Sequence, residues 1–191
     1  MKAQNELSAA ELIKAVTLLQ QATGIDKVRI TGGEPLVTPK FDEFLPAVMD
    51  LGLKDVSLTT NGQLLIAKRD VIARSGLRRM NISLDTLNPL RFKHIARGGD
   101  LDTVLRGVES MLELGLKLKI NMVPMRSENL SEVVLMLQYC LERGIELRFI
   151  ELMRMGHLFG TNAFQANFVS METLLDEIGQ LPWIKIIINL I

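Results

Sequence analysis

Cysteine is almost absent from this chain: Cys140 is the single one in 191 residues. One thiol excludes an intrachain disulfide framework. It also excludes a conventional iron–sulfur cluster held by this chain alone, because such clusters need several thiolates. Cys140 sits in the periodic segment VVLMLQYCLERG, beside Met136, Leu137 and Leu141, and reads as a buried helix thiol. Net charge is absent too. Lys+Arg and Asp+Glu both total 22, so no global basic field recruits nucleic acid, and an anionic ligand must be held by local charges. No stretch reaches the ~18 apolar residues of a membrane span, and the apolar end, IKIIINLI, is too short for one. The start, MKAQNELSAAEL, has no apolar core of a secretory signal. A cytoplasmic protein with no membrane or nucleic-acid partner is the expectation. His94 and His157 stand alone, without a second ligand at metal spacing. There is no internal repeat or low-complexity run.

What is present is an apolar, regularly alternating chain. Hydrophobic residues make up 48%, which argues against disorder. Ser8-Ala9-Ala10-Glu11 fits a capping box, followed by Leu12, Val16 and Leu19 at helical spacing and Gly24 as a stop. Strands are predicted at 27–31, 55–60, 79–84, 117–123 and 145–151. Helices are predicted from Thr38-Pro39 to near Gly52, at 64–74, from Asn88-Pro89, at 101–114, at 130–142 and at 171–178, with 154–169 as loop. Short apolar strands separated by helices predict parallel βαβ units with right-handed crossovers. The chain is short for a complete (β/α)8 barrel, which takes about 250 residues.

The chemistry-bearing residues sit at predicted strand ends, where α/β folds build their sites. Lys27 to Val37 reads KVRITGGEPLV: a strand runs into Gly32-Gly33-Glu34-Pro35, two residues free to adopt positive φ, then a carboxylate, then a residue that fixes the exit. Leu58-Thr59-Thr60-Asn61-Gly62, Asn81-Ile82-Ser83-Leu84-Asp85, Lys119-Ile120-Asn121 and Arg148-Phe149-Ile150-Glu151-Leu152-Met153 follow in the same positions. Arg29, Lys119, Asn121 and Arg148 alternate with apolar neighbours, so one face of several strands carries polar groups, and an inward Arg or Lys needs an anionic partner. Arg78-Arg79 reads as a solvated charge pair, and Asp85 as a turn cap.

This ordered set resembles the radical S-adenosylmethionine (SAM) superfamily, and within it the molybdenum cofactor biosynthesis (MoaA-type) GTP 3′,8-cyclases, over about residues 5–178. The resemblance implies a partial parallel (β/α) TIM-like barrel with about five strands present and the first strand missing. It implies an incomplete barrel domain over 1–181 and a divergent apolar tail over 182–191. It implies SAM binding by Gly32, Gly33, Glu34, Ser83 and Met153, and GTP binding by Arg29, Thr59 and Lys119. The family also holds a [4Fe–4S] cluster on a CxxxCxxC motif, which should precede residue 1 and is absent here. The chain as given is therefore expected to be inactive. Its exposed strand edge and apolar tail are expected to promote self-association. Other readings stand beside this one: a cluster-free SAM- or nucleotide-binding module, another radical SAM-derived partial-barrel protein, or a different partial-barrel enzyme such as an aldolase-like carbon–carbon lyase with Lys119 as a Schiff-base lysine, which would need that amine desolvated.

Overall fold

The computed structural model describes residues 6–154 and 162–179. Five strands, β1 (Lys27–Ile30), β2 (Asp55–Thr60), β3 (Arg79–Ser83), β4 (Lys117–Met122) and β5 (Glu146–Phe149), form one parallel sheet in the order β1-β2-β3-β4-β5. Helix α1 (Ala9–Thr23) precedes β1. Sequential neighbours in a parallel sheet require crossovers, and helices supply them: α2 (Phe41–Met49), α3 (Arg69–Ser75), α4 (Pro89–Ile95) with α5 (Leu101–Glu113), and α6 (Val133–Glu142); α7 (Ala163–Asn167) and α8 (Met171–Gly179) follow β5. The expected partial-barrel architecture is present. The chain divides into two compact units, Met1–Asn81 with Thr103–Leu118, and Ile82–Asp102 with Lys119–Ile191. The expected boundary at 181/182, the apolar tail and His157 lie outside the described residues.

In the first unit, α1 starts as its sequence dictates. Ser8 Oγ accepts the Glu11 N–H at 3.2 Å, and the Glu11 carboxylate accepts the Ser8 N–H at 2.7 Å, satisfying two donors that a helix start leaves over. Gly24 ends it at φ 69°. β1 pairs with β2 in the register Val28↔Val56, Ile30↔Leu58. Leu58, Leu45, Val48 and Leu65 are fully buried, so this core joins strand, helix and the segment after β2. In the second unit, Ile82, Ile120, Met122 and Met136 are fully buried, and β4 pairs with β5 in the register Ile120↔Leu147, Met122↔Phe149.

Several boundaries differ from expectation. The helix foreseen from Thr38-Pro39 begins at Phe41, because Glu34 caps a 3-10 turn at Pro35–Val37 through the Leu36 N–H. The helix foreseen over 64–74 starts at Arg69. The preceding residues run as turns, and among them Leu65 packs close to Gly107, where a Cβ would lie 2.9 Å from the Leu65 Cβ. The first three residues of the helix foreseen at 130–142 form a 3-10 turn. A short helix, α7, lies in the stretch read as loop. Arg79 is not merely solvated: Nε donates to Asp55 Oδ1 at 2.6 Å, and Nη2 engages Oδ2.

Candidate functional site

Strand alternation presents one polar face. On β2 it carries Asp55, Ser57 and Thr59, on β3 Arg79, Asn81 and Ser83, on β4 Lys117, Lys119 and Asn121, and on β5 Glu146 and Arg148, while the intervening residues are mostly buried. The alternating polar groups seen in the sequence are thus one designed surface of each strand.

The first unit builds the Gly-Gly-Glu-Pro turn. Gly32 takes φ 156°, a value L side chains rarely adopt, so the turn demands glycine there. Glu34 is a hub. Oε1 accepts the Thr60 hydroxyl at 2.7 Å and the Leu36 N–H at 3.1 Å, and Oε2 accepts the Asn61 N–H at 2.7 Å. The carboxylate therefore ties the β1 exit to the β2 exit. Thr60 Oγ1 also accepts the Gly62 N–H at 3.1 Å. Thr60 and Asn61 carry no sequence signal of their own beyond the Thr-Thr-Asn-Gly run; only the fold shows that both serve Glu34. Thr59 points to the opposite face, where its Oγ1 accepts Asn81 Nδ2 at 3.1 Å. A cavity of about 450 Å³ adjoins the turn, lined by Arg29, Gly32, Gly33, Glu34, Val16 and Phe44, among others. Arg29 is exposed and makes no ion pair among the described residues.

The second unit holds Lys119, which has the anionic partner its position demanded. Nζ lies 2.7 Å from Glu146 Oε2, and Glu146 Oε1 accepts Arg148 Nε at 2.7 Å. Burial acts to raise the Glu146 carboxyl, but hydrogen bonds and charge from Lys119 and Arg148 outweigh it and hold the group below its usual range. An ion-paired Lys119 is the opposite of the desolvated amine that Schiff-base chemistry uses, which removes support for the aldolase-like reading. Ser83 is exposed at the end of β3, and Met153 is 58% exposed beyond β5.

Asp85 does more than cap a turn. Oδ1 accepts the Val123 N–H at 2.7 Å, and fully buried Asn129 donates Nδ2 to the carbonyls of Asp85 and Val123 at 2.7 and 3.0 Å. Burial pushes the Asp85 carboxyl up, partly offset by that N–H. Nearby, buried Glu132 accepts the Leu87 N–H, the Thr86 hydroxyl and Arg91 Nη1. The loops after β3 and β4 are thereby fixed by a polar network that sequence spacing did not reveal.

No described group of three or more His, Cys, Asp or Glu side chains is arranged to hold a metal. Cys140 is buried, and burial pushes its thiol up to about 12, so it is a neutral core side chain, not a thiolate ligand. The residues of this chain do not fit an iron–sulfur cluster. His94 is exposed, with Nε2 3.8 Å from Glu128. No helix among the described residues is long and apolar enough to cross a membrane.

The radical SAM superfamily model matches residues 1–140. A GTP 3′,8-cyclase of Alkaliphilus oremlandii is 40% identical over 170 residues, 87% of this chain and 53% of that protein. One of Aliarcobacter butzleri is 43% identical over 155 residues, 81% of this chain and 48% of that protein. The chain thus spans about half the length of the curated relatives it matches. The crystal structure of Streptococcus suis SuiB bound to S-adenosylmethionine superposes with TM-score 0.69 at 21% identity, over 95% of this chain and 43% of SuiB, a likeness of fold. With the family model matching well over half its length, this chain belongs to the radical SAM superfamily.

Proposed function

We propose that this chain is the ligand-holding part of a GTP 3′,8-cyclase-type radical SAM protein. The observation that carries this reading is the 40% identity to such a cyclase across 87% of the chain, a span holding every strand end described above. In this reading Gly32 and Gly33 carbonyls and Glu34 receive the SAM ammonium, Ser83 offers a hydroxyl to its ribose or carboxylate, and Met153 packs near its adenine. Arg29, Thr59 and Lys119 take the GTP, with cations on its phosphates. Glu34 already accepts three donors, so its role toward SAM is as much to shape the turn as to provide charge. In this superfamily a cluster supplies the electron that cleaves SAM; this chain offers SAM and GTP positioning rather than cluster ligands.

Small-molecule ligands, not nucleic acid, suit a chain of zero formal net charge, and a cytoplasmic location suits those ligands. Self-association through β1 is part of the proposal. Asp26 accepts the Asp55 N–H at 3.0 Å, so Lys27 and Arg29 turn their main-chain groups away from β2, and β1 pairs with β2 alone among the described residues. Such an edge invites another strand.

Calorimetric titration tests the ligand reading. SAM and GTP are both expected to bind, and Lys119→Ala is expected to weaken GTP about tenfold or more, the cost of a lost charge-assisted contact, while sparing SAM. Absence of both ligands, or equal loss of both in the variant, would reject it. For the edge, light scattering after size exclusion should show association that Lys27→Pro reduces; a monomer for the parent chain rejects that part.

A further inference from the structure

We infer that Asn129 is a positioning residue for the SAM site: its side chain holds the main chain just beyond Ser83 and so fixes where that hydroxyl stands. This rests on the SAM reading above. Strand β3 ends at Ser83 and β4 at Met122, and one further bond, from the Leu84 N–H to the Asn121 carbonyl at 3.0 Å, closes their ladder. Residues 84–88 then run without helix or strand. Ser83 is exposed at the last position of its strand, so its place depends on how firmly the irregular chain after it is held.

Asn129 holds it from a fully buried position. Its Nδ2 donates to the Asp85 carbonyl at 2.7 Å and to the Val123 carbonyl at 3.0 Å, and its Oδ1 accepts the Met125 N–H at 2.7 Å. The amide thus bridges the two main chains where the ladder has stopped, and Asp85 Oδ1 completes the bridge by accepting the Val123 N–H. The same turn supplies a second hold. The Glu132 N–H donates to the Asn129 carbonyl at 2.9 Å, and the Glu132 carboxylate accepts the Leu87 N–H at 3.2 Å and the Thr86 hydroxyl. Asp85, Thr86 and Leu87 are therefore all tied to the turn from Asn129 to Glu132. Every residue named here belongs to the second unit, with Ser83. Apolar side chains of the same shape would cost little stability in place of such pairs, but apolar contact is non-directional. A fully satisfied buried polar network specifies one geometry. A ligand-reading hydroxyl needs that, because a displacement of about 1 Å is enough to break its contact.

The test is calorimetric titration of the full 191-residue chain with SAM and with GTP, well below the melting temperature of each variant. Asn129→Ser, whose short side chain cannot bridge both carbonyls, is expected to weaken SAM about tenfold, the loss of one hydrogen bond, and to leave GTP within about twofold. Thr86→Val removes one hydroxyl, keeps the shape, and should weaken SAM about threefold, while Thr86→Ser should bind like the parent. The decisive comparison is the Ser83→Ala background, where both losses should vanish because nothing remains to be positioned. A purely structural role would lower the melting temperature and leave the SAM affinity of the folded protein unchanged. SAM affinity unaltered in both variants, equal losses of SAM and GTP, or losses that persist in full with Ser83→Ala overturn the inference. If Asn129→Ser does not fold, Thr86→Val decides; failure of both to fold assigns the network to stability and also overturns it. If Ser83→Ala weakens SAM while Asn129→Ser and Thr86→Val do not, this inference alone falls; if the parent binds no SAM, or Ser83→Ala binds it like the parent, it falls together with the SAM reading.

Discussion

Removing the Glu34 carboxylate should destabilise this protein before any ligand is considered. The carboxylate accepts three donors from two loops. Asn61 is exposed, and water can replace the acceptor for its N–H, whereas Leu36 and Thr60 are buried at 1% and 2%. Glu34→Ala thus strands one buried N–H and one buried hydroxyl, each costing roughly 1–3 kcal/mol, and a total of about 3 kcal/mol is expected. For a chain of this size each kcal/mol shifts the melting temperature by about 2–4 °C, so the ligand-free variant should melt about 6–12 °C lower by circular dichroism. Glu34→Gln keeps one acceptor but turns an NH2 group toward a donor, and should fall between. Thr60→Val deletes one of the same bonds, so its loss should be less than additive with that of Glu34→Ala. If Glu34→Ala melts within about 2 °C of the parent, the carboxylate is not the tie between the β1 and β2 exits, and its role reverts to ligand contact alone.

Other expectations follow from particular groups. Glu146 is held below its usual range, so its contribution is present above the unfolded-state value of about 4.3 and is lost as pH falls through the lower folded value. Urea unfolding of parent and Glu146→Gln should differ at pH 7, and the difference should shrink as pH falls below the unfolded-state value; a constant difference would refute the ion-pair account. Asp85 is raised, so the sign reverses: its stabilising influence is full below the unfolded value and is lost as pH rises through the folded one. Asp85→Asn keeps the Oδ1 acceptor and should raise the urea midpoint at pH 7 but not at pH 3.5. Gly107→Ala places a Cβ 2.9 Å from the Leu65 Cβ and 3.3 Å from the Gly62 carbonyl, an overpacking expected to cost about 1–3 kcal/mol, read from the same melts. Anaerobic reconstitution with iron and sulfide should give no stoichiometric cluster on the isolated chain, because its one thiol is buried and neutral; a cluster seen by EPR and liganded within the chain would contradict this.

The sequence by itself determined the parallel α/β architecture. Short apolar strands alternate with amphipathic helices, and the signals are local: a capping box at Ser8 and Glu11, an Asn88 cap before Pro89, a glycine stop at Gly24. Strand period also exposed the polar face, since Arg29, Lys119, Asn121 and Arg148 interrupt apolar runs at every second position. Tertiary structure alone decided what those groups do. Lys119 and Glu146 are 27 residues apart in sequence, as are Glu34 and Asn61, and only strand register brings each pair together. The burial of Cys140 was legible from its apolar helical neighbours, but burial lifted the Asp85 carboxyl and left the Asn121 oxygen without a donor only through the fold. Hydrogen bonds and electrostatics act over a few ångströms, while the chain separates the partners by tens of residues.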